Sequence, residues 1–412
     1  MTGKMNHKVL SLIVAMVLAT SSFAASIATD HTWYLAGETM TVSVTANDAL
    51  IAYAELCDTY GLATGVAIGL KGGEGTGILQ LPSDLHSGYY VLSVYTRHDT
   101  HVAHRLVAVV NPLHKSEDDD IEWVKIAHPD SLSFSVHEQA QLEFTSVKDV
   151  DVRETEGHII KARVKNVYNG NSFHDNDILT SLSIVGKQIH YFEGKMVNDS
   201  IAIFYTYGIH GKHPLVLSAK SSTGVSLPVE IISPFATILP KRLPHLVFHY
   251  QRREVEARSM NLQQQLKLRA DASVGIAPLD YDETVFGTKP ELTYNLDEYR
   301  QFLTVKEVLL EYVSCIKKTK INGVTQLIVR KEEEPYHSFL PSLVLIDGMP
   351  VSDTERLLYY DARRIHYINV YGGQYTFGNG IYNGILSFIT RSGRLTNYPT
   401  ERNMQYLVYE FP

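Results

Sequence analysis

Leu343-Val344-Leu345-Ile346-Asp347-Gly348-Met349-Pro350-Val351 decides how the C-terminal part of this chain is read. Four consecutive apolar residues are too short a run for a helix and show no polar alternation, the pattern of a strand covered on both faces. Asp347 and Gly348 are residues that accept positive φ, so the chain reverses there and Met349 to Val351 returns. Upstream, Thr304-Val305-Lys306-Glu307 is a capping box, in which the Thr304 hydroxyl accepts from the N–H three residues on and Glu307 reaches back. Val305, Val308, Leu309 and Tyr312 then recur at spacings of three and four, which predicts a helix to about Ser314. Asn295 to Glu298 repeats that start. Gly323 turns into a predicted strand over Thr325 to Arg330. Downstream, Asp353 to Tyr359 suits a short helix and Tyr367 to Tyr371 a strand. Turn glycines follow at 372, 373, 378 and 380, and a last strand, Asn383 to Thr390, closes at Ser392-Gly393.

Four of these stretches, in order, carry a resemblance: Val305 to Leu309, Leu343 to Val351, Ile365 to Gly373 and Phe377 to Gly393. Residues 293–395 resemble the plug domain of TonB-dependent outer-membrane receptors. A receptor continues into a barrel of about 22 strands, each about ten residues long. Here 19 residues follow Gly393, room for one strand at most. The expectation is therefore a plug whose barrel is supplied by another chain, similar to the plug subunits of type IX secretion translocons. Its contact residues would be the plug loops: Asp347, Gly348, Arg363, Arg364, Gly372, Gly373, Gly378, Asn379 and Asn383.

Toward the N-terminus the period changes to two. Thr39 to Thr45 alternates, and Ile51 to Leu56, Gly77 to Leu81 and Tyr89 to Tyr95 read as further strands between Gly- and Pro-rich turns, the signature of a β-sandwich. Tyr34 to Thr39, Leu81 to Leu85, Ser87 to Tyr90 and Tyr95 to Arg97 resemble the MG2 module of macroglobulins, assigned to residues 25–113. The Cys-x-Glu-Gln thioester of proteinase-trapping macroglobulins has no counterpart at Cys57 or Cys315. Asn111 to Asp120 reads as a linker whose four carboxylates, Glu117 to Asp120, form a solvated loop rather than a calcium loop, which would want acids at alternating positions. Ser131 to Val136, Ala162 to Val167, Ser200 to Tyr207, Leu215 to Ser218 and Val225 to Ile232 predict a second sandwich over 121–235. Residues 236–292 show little periodicity beyond a short helix over 261–268 and are read as a connector or a partner-binding segment. Residues 396–412 are read as a tail. The fold class expected is mainly β: tandem sandwiches followed by an α+β plug-like domain.

The first 24 residues, with Lys4 and Lys8 ahead of an apolar run and Ser22-Phe23-Ala24 at its end, read as a secretory signal peptide. The run is about half of what a membrane span needs. The expected location is the periplasm, at the outer membrane, with no direct span. The chain has 412 residues with 37 Lys+Arg against 45 Asp+Glu. That acidic balance excludes a dedicated nucleic-acid binder, which would show a basic face. Two cysteines exclude a disulfide scaffold.

Catalytic patterns are missing from the sequence. No Gly-x-Ser-x-Gly elbow, His-Glu-x-x-His or Walker loop occurs. His98, His101 and His104, between predicted strands Val91 to Tyr95 and Leu106 to Val110, lie along a hairpin and read as an exposed polar loop rather than zinc ligands. No enzyme, cofactor or metal is expected. An alternative is a secreted module binding polysaccharide or peptide on a plug-like scaffold.

Overall fold

The computed structural model describes residues 26–412 other than 47–48, 98–100, 113–114, 127–141, 145–153, 169, 175–176, 186–188, 223, 273–285, 322, 331–339, 352, 378–379 and 393–402. The proposed signal peptide, His98, Gly378, Asn379 and the strand expected at Ser131–Val136 lie outside the described residues. The protein is mainly β, in two compact units: residues 1–155 with 235–269, and residues 156–234 with 270–412.

In the first unit, a five-stranded sheet faces a three-stranded one. The three-stranded sheet places Thr39–Thr45 between Ser26–Thr29 and Glu74–Gln80. Its alternation buries Met40, Val42 and Val44 against Ala52, Ala54, Leu56, Tyr90 and Leu92 of the larger sheet. Ile51–Cys57 and Gly88–Thr96 are buried at every position, on both faces. The second cover comes from the segment read as a connector. Leu246–Tyr250 pairs in parallel with Ile121–Lys125, and Leu246, Phe248 and Val255 pack on Trp33, Leu35 and Tyr89. The expected short helix is instead Arg252–Ala272. Its Arg258 stacks 3.8 Å over the Trp33 ring and pairs with Glu38. Residues 236–292 are thus no separate connector: up to residue 269 they belong to the first unit, and the remainder to the second.

Buried polar groups clip this return segment in place. Glu55 is fully buried on the outer face of Ile51–Cys57. It accepts from the N–H groups of Ile238 at 2.5 Å and Thr237 at 3.0 Å and from the Tyr95 hydroxyl at 3.4 Å. Burial pushes its carboxyl above the ordinary range. Beside it, Tyr53 donates to Glu154, which also pairs with Arg97 at 2.9 Å. The acidic stretch is partly engaged: Asp119 accepts from the Ser87 N–H at 2.6 Å, and Asp120 pairs with His245 at 2.5 Å.

The second unit contains a single curled sheet and an α+β module. The curled sheet begins at residue 156, not 121. Its eight strands run in the order Ser226–Leu227, Gly211–Ser221, Ile178–Ile184, His190–Asn198, Ile201–Thr206, His158–Val164 and Val229–Ile232, with Gln405–Phe411 added on Gly211–Ser221. The apolar residues of its two halves, among them Ile160, Leu182, Phe204, Leu217 and Phe411, enclose one core. The tail therefore has a place in the fold: Gln405–Phe411 pairs antiparallel with Gly211 to Leu217 over seven positions.

The α+β module is a five-stranded mixed sheet in the order Leu292–Asn295, Ile365–Phe377, Gly380–Thr390, Leu343–Ile346, Met349–Pro350, accompanied by the hairpin Ile316–Ile321/Val324–Val329. Leu343–Ile346 is buried throughout and runs parallel to Ile385–Phe388. Helices Val305–Glu311 and Thr354–Leu358 contribute Val305, Val308, Leu309, Leu357 and Leu358 to the core beneath it. The capping box forms as read: Glu307 N–H donates to Thr304 Oγ1 at 3.3 Å, and Thr304 N–H to the Glu307 carboxylate at 2.9 Å. Those bonds hold the Glu307 carboxyl below its usual range.

Candidate functional site

The candidate loops divide between the ends and the middle of the α+β sheet. Strand Ile365–Phe377 has 13 residues, so its ends are about 40 Å apart at 3.3 Å per residue. Arg363 and Arg364 stand immediately before one end. Gly372, Gly373 and Asn383 lie between. The seven described candidates do not form one patch.

Asp347 and Gly348 form the reverse turn, both at positive φ, +46° and +85°. The turn points inward. Asp347 is 2% exposed. Its carboxylate accepts from the Thr390 N–H at 2.7 Å and the Thr390 hydroxyl at 2.5 Å. A Cβ on Gly348 would meet Ile189, just ahead of strand His190–Asn198, at 2.6 Å. This pair ties the module together and has no exposed surface for a partner, a correction to the loop reading. The reason is register: Ile346 lies opposite Phe388, so the next residue reaches the end of the strand that carries Thr390.

Asn383 is half-buried and also structural. Its N–H donates to Pro341 O at 2.9 Å, its side-chain amide donates to Val329 O at 3.3 Å, and its carbonyl accepts from Ser342. Gly372 and Gly373 form a bulge, the register shifting between Tyr371 and Gln374. Gly372 backs onto the Glu291 carboxylate, which a Cβ there would meet at 2.2 Å. Bulges end regular pairing and bend the strand, which explains paired glycines without any ligand.

Arg363 and Arg364 remain as exposed candidates, and the structure adds neighbours that the sequence did not reveal. Arg363 makes a bidentate pair with Asp361, at 2.8 and 2.9 Å. Arg391 donates to the Arg363 carbonyl at 2.8 Å and pairs with Asp297 at 2.6 Å. His366 reaches the same Asp297 at 3.2 Å. The hydrogen bond from Arg391 holds the Asp297 carboxyl below its usual range, and Arg363 does the same for Asp361. The result is an exposed, charged end of the module, fixed by ion pairs that cross from Leu296–Glu298 to the two long strands. Asp361 sits two residues before the N–H it caps, a spacing visible in sequence. Arg391 and Asp297 are 94 positions apart and carry no such signal.

No cluster of three metal-ligating side chains occurs among the described residues. His104 is stacked on Phe144 at 3.7 Å, and burial lowers its pKa to about 4, which disfavours the charged ring. Cys57 and Cys315 are both free, and burial pushes the Cys57 thiol up to about 12, away from thiolate chemistry. No helix among the described residues is long and apolar enough to cross a membrane.

No family model and no curated protein matches this chain. Among solved structures, it is similar to E. coli alpha-2-macroglobulin in its native conformation, at 10% identity and a TM-score of 0.19 over 52% of this chain and 14% of that one. A Salmonella alpha-2-macroglobulin reacted with methylamine aligns at 11% identity and a TM-score of 0.19 over 54% of this chain and 15% of that one. The BSP domain of a biofilm-associated protein aligns at 10% identity and a TM-score of 0.17, covering 53% of this chain and 29% of that one. The chain thus spans less than a third of the length of these structures, and at such TM-scores they do not bear on activity or partners.

Proposed function

We propose that this chain is a non-enzymatic, exported protein of the periplasmic face of the outer membrane. Its α+β module plugs or gates a β-barrel supplied by another chain, either a receptor or a protein-secretion translocon. The observation that carries this reading is the charged end of the module. Asp297, Asp361, Arg363, Arg364, His366 and Arg391 form an exposed polar surface held by ion pairs. A barrel lumen is polar, and a surface of modest polar contacts lets a plug seat and be released. Two further points support it. The four stretches with receptor-plug order fold into one mixed sheet with its two helices. The described strand that follows that sheet, Gln405–Phe411, is taken up by the curled sheet.

The test is affinity capture of the full chain from gently solubilised outer membranes. Co-purification of a barrel protein is expected, and Arg363→Glu with Arg364→Glu should reduce it strongly by reversing charge at the docking end. Capture that yields no barrel protein, or that ignores the double reversal, refutes the reading.

A further inference from the structure

A second polar site lies apart from the charged end. A cleft of about 580 Å³ opens in the second unit between the turn at Gly224–Ser226, the tip of the hairpin Ile316–Ile321/Val324–Val329, the start of helix Thr354–Leu358, and Asn403. That volume is in the range that holds a ligand of a few residues. Among the described residues, Val324 is the one large apolar side chain in its lining.

The charges in this cleft are unevenly occupied. Both carboxylates are engaged internally. Glu355 accepts from the Thr325 hydroxyl at 2.5 Å and pairs with Lys318 at 3.0 Å. The Thr325 hydrogen bond, then Lys318, hold its carboxyl below the usual range. Asp353 caps its helix, accepting from the Arg356 N–H at 3.1 Å. Lys320 and Arg356 line the same cleft, both are exposed, and neither side chain has an ion pair or hydrogen bond among the described residues. Two cations line this cleft without a hydrogen bond or close ion pair of their own, Lys320 acting on Glu355 only through space, while Thr325 and Lys318 hold Glu355 and Asp353 caps its helix. Asn403 donates to the Ser226 carbonyl at 2.8 Å, which fixes this part of the lining.

We propose that this cleft binds an acidic peptide segment of a partner chain, with its carboxylates on Lys320 and Arg356 and its backbone against the Ser226–Asn403 wall. Arg356 offers the planar fork that takes a carboxylate in two bonds. Among the described residues no aromatic side chain lines the cleft, so these offer no stacking platform of the kind a sugar ring would use. The inference does not depend on the barrel reading, because none of these residues lies at the charged end.

The probe is a fluorescein-labelled hexaglutamate peptide, titrated against the full chain at low salt and read by anisotropy. Saturable binding is expected, at least about tenfold weaker in the Lys320→Gln/Arg356→Gln double variant, equivalent to about 1.4 kcal/mol. It should be lost with hexaglutamine and weakened by salt. Both substitutions are at exposed positions, and an unchanged circular-dichroism melt verifies the fold. Absence of saturable binding overturns the proposal, as does a folded double variant that binds equally well. Inorganic phosphate competing as well as free glutamate would also overturn it, as a general anion site. Failed barrel capture alongside positive peptide binding would sink only the barrel reading, and the converse only this one.

Discussion

Replacing Asp347 with alanine should cost the second unit much of its stability, although the position looked in sequence like a surface turn. The cost has two sources. Asp347 holds φ at +46°, where aspartate is tolerated and alanine is disfavoured by about 1 kcal/mol or more. Its carboxylate takes the buried Thr390 N–H and hydroxyl. Leaving a buried donor unsatisfied costs about 1–3 kcal/mol, and the hydroxyl, which can turn to Ser392 at 3.2 Å, less. The sum is about 3–4 kcal/mol, and with an m-value of about 2 kcal/mol/M it lowers the urea midpoint by about 1.5–2 M. Two companion variants separate the terms. Asp347→Asn keeps the backbone tolerance and one acceptor and should retain roughly half the loss. Asp347→Gly removes the side-chain bonds without the backbone strain and should fall between Asn and Ala. Both tryptophans, Trp33 and Trp123, are in the first unit. The far-UV circular-dichroism transition should therefore move while the tryptophan-emission transition stays. An Asp347→Ala protein within about 0.5 kcal/mol of the parent, the range of an ordinary surface change, refutes the reasoning, and a glycine variant as stable as the parent refutes the hydrogen-bond part alone.

Glu55 gives a pH test. Burial raises its folded pKa above the ordinary 4.5, so its contribution is complete below that value and declines as pH rises through the folded value. The stability of the parent relative to Glu55→Gln, followed by tryptophan emission in urea, should fall from acid toward neutral pH, and a constant gap would contradict the assignment. Gly384→Ala should cost about 2 kcal/mol or more, because φ is +80° and the new Cβ meets Val329 and the Tyr371 carbonyl within 3 Å. Gly372→Ala meets only the movable end of Glu291 and should cost far less, so equal losses in urea titration would refute the distinction. Phe411→Ala empties a buried position in the curled core and should lower stability by about 3–5 kcal/mol, whereas a dispensable tail would show no effect. Arg391→Gln should raise the Asp297 pKa toward its ordinary 3.8 in an NMR titration, since the Arg391 hydrogen bond is the largest cause of its depression.

Local patterns made much of the architecture legible. Alternation over Thr39–Thr45, the capping box at Thr304–Glu307, the apolar run Leu343–Ile346 and the Asp347-Gly348 reversal depend on neighbours within a few residues, where side-chain period and φ preference act directly. The mainly β class was determined at that level. The boundaries were not. Residues 236–269 have weak periodicity because their apolar residues are spent covering the outer face of strands such as Ile51–Cys57, whose own complete burial has no explanation until that cover is in place. The tail was likewise silent, since a strand alternating Leu407, Tyr409 and Phe411 with exposed Tyr406, Val408 and Glu410 needs its partner Gly211–Leu217, nearly 200 residues earlier.

By itself, then, the sequence determined the class and those strands, helices and turns whose signals are local, because they follow from short-range sterics and hydrogen bonding. Only the tertiary structure decided which turns face outward. It buried Asp347, gave Asn383 to Val329, and joined Arg391 to Asp297. Exposure and charge pairing are set by strand register across long separations, a quantity that no window of sequence contains.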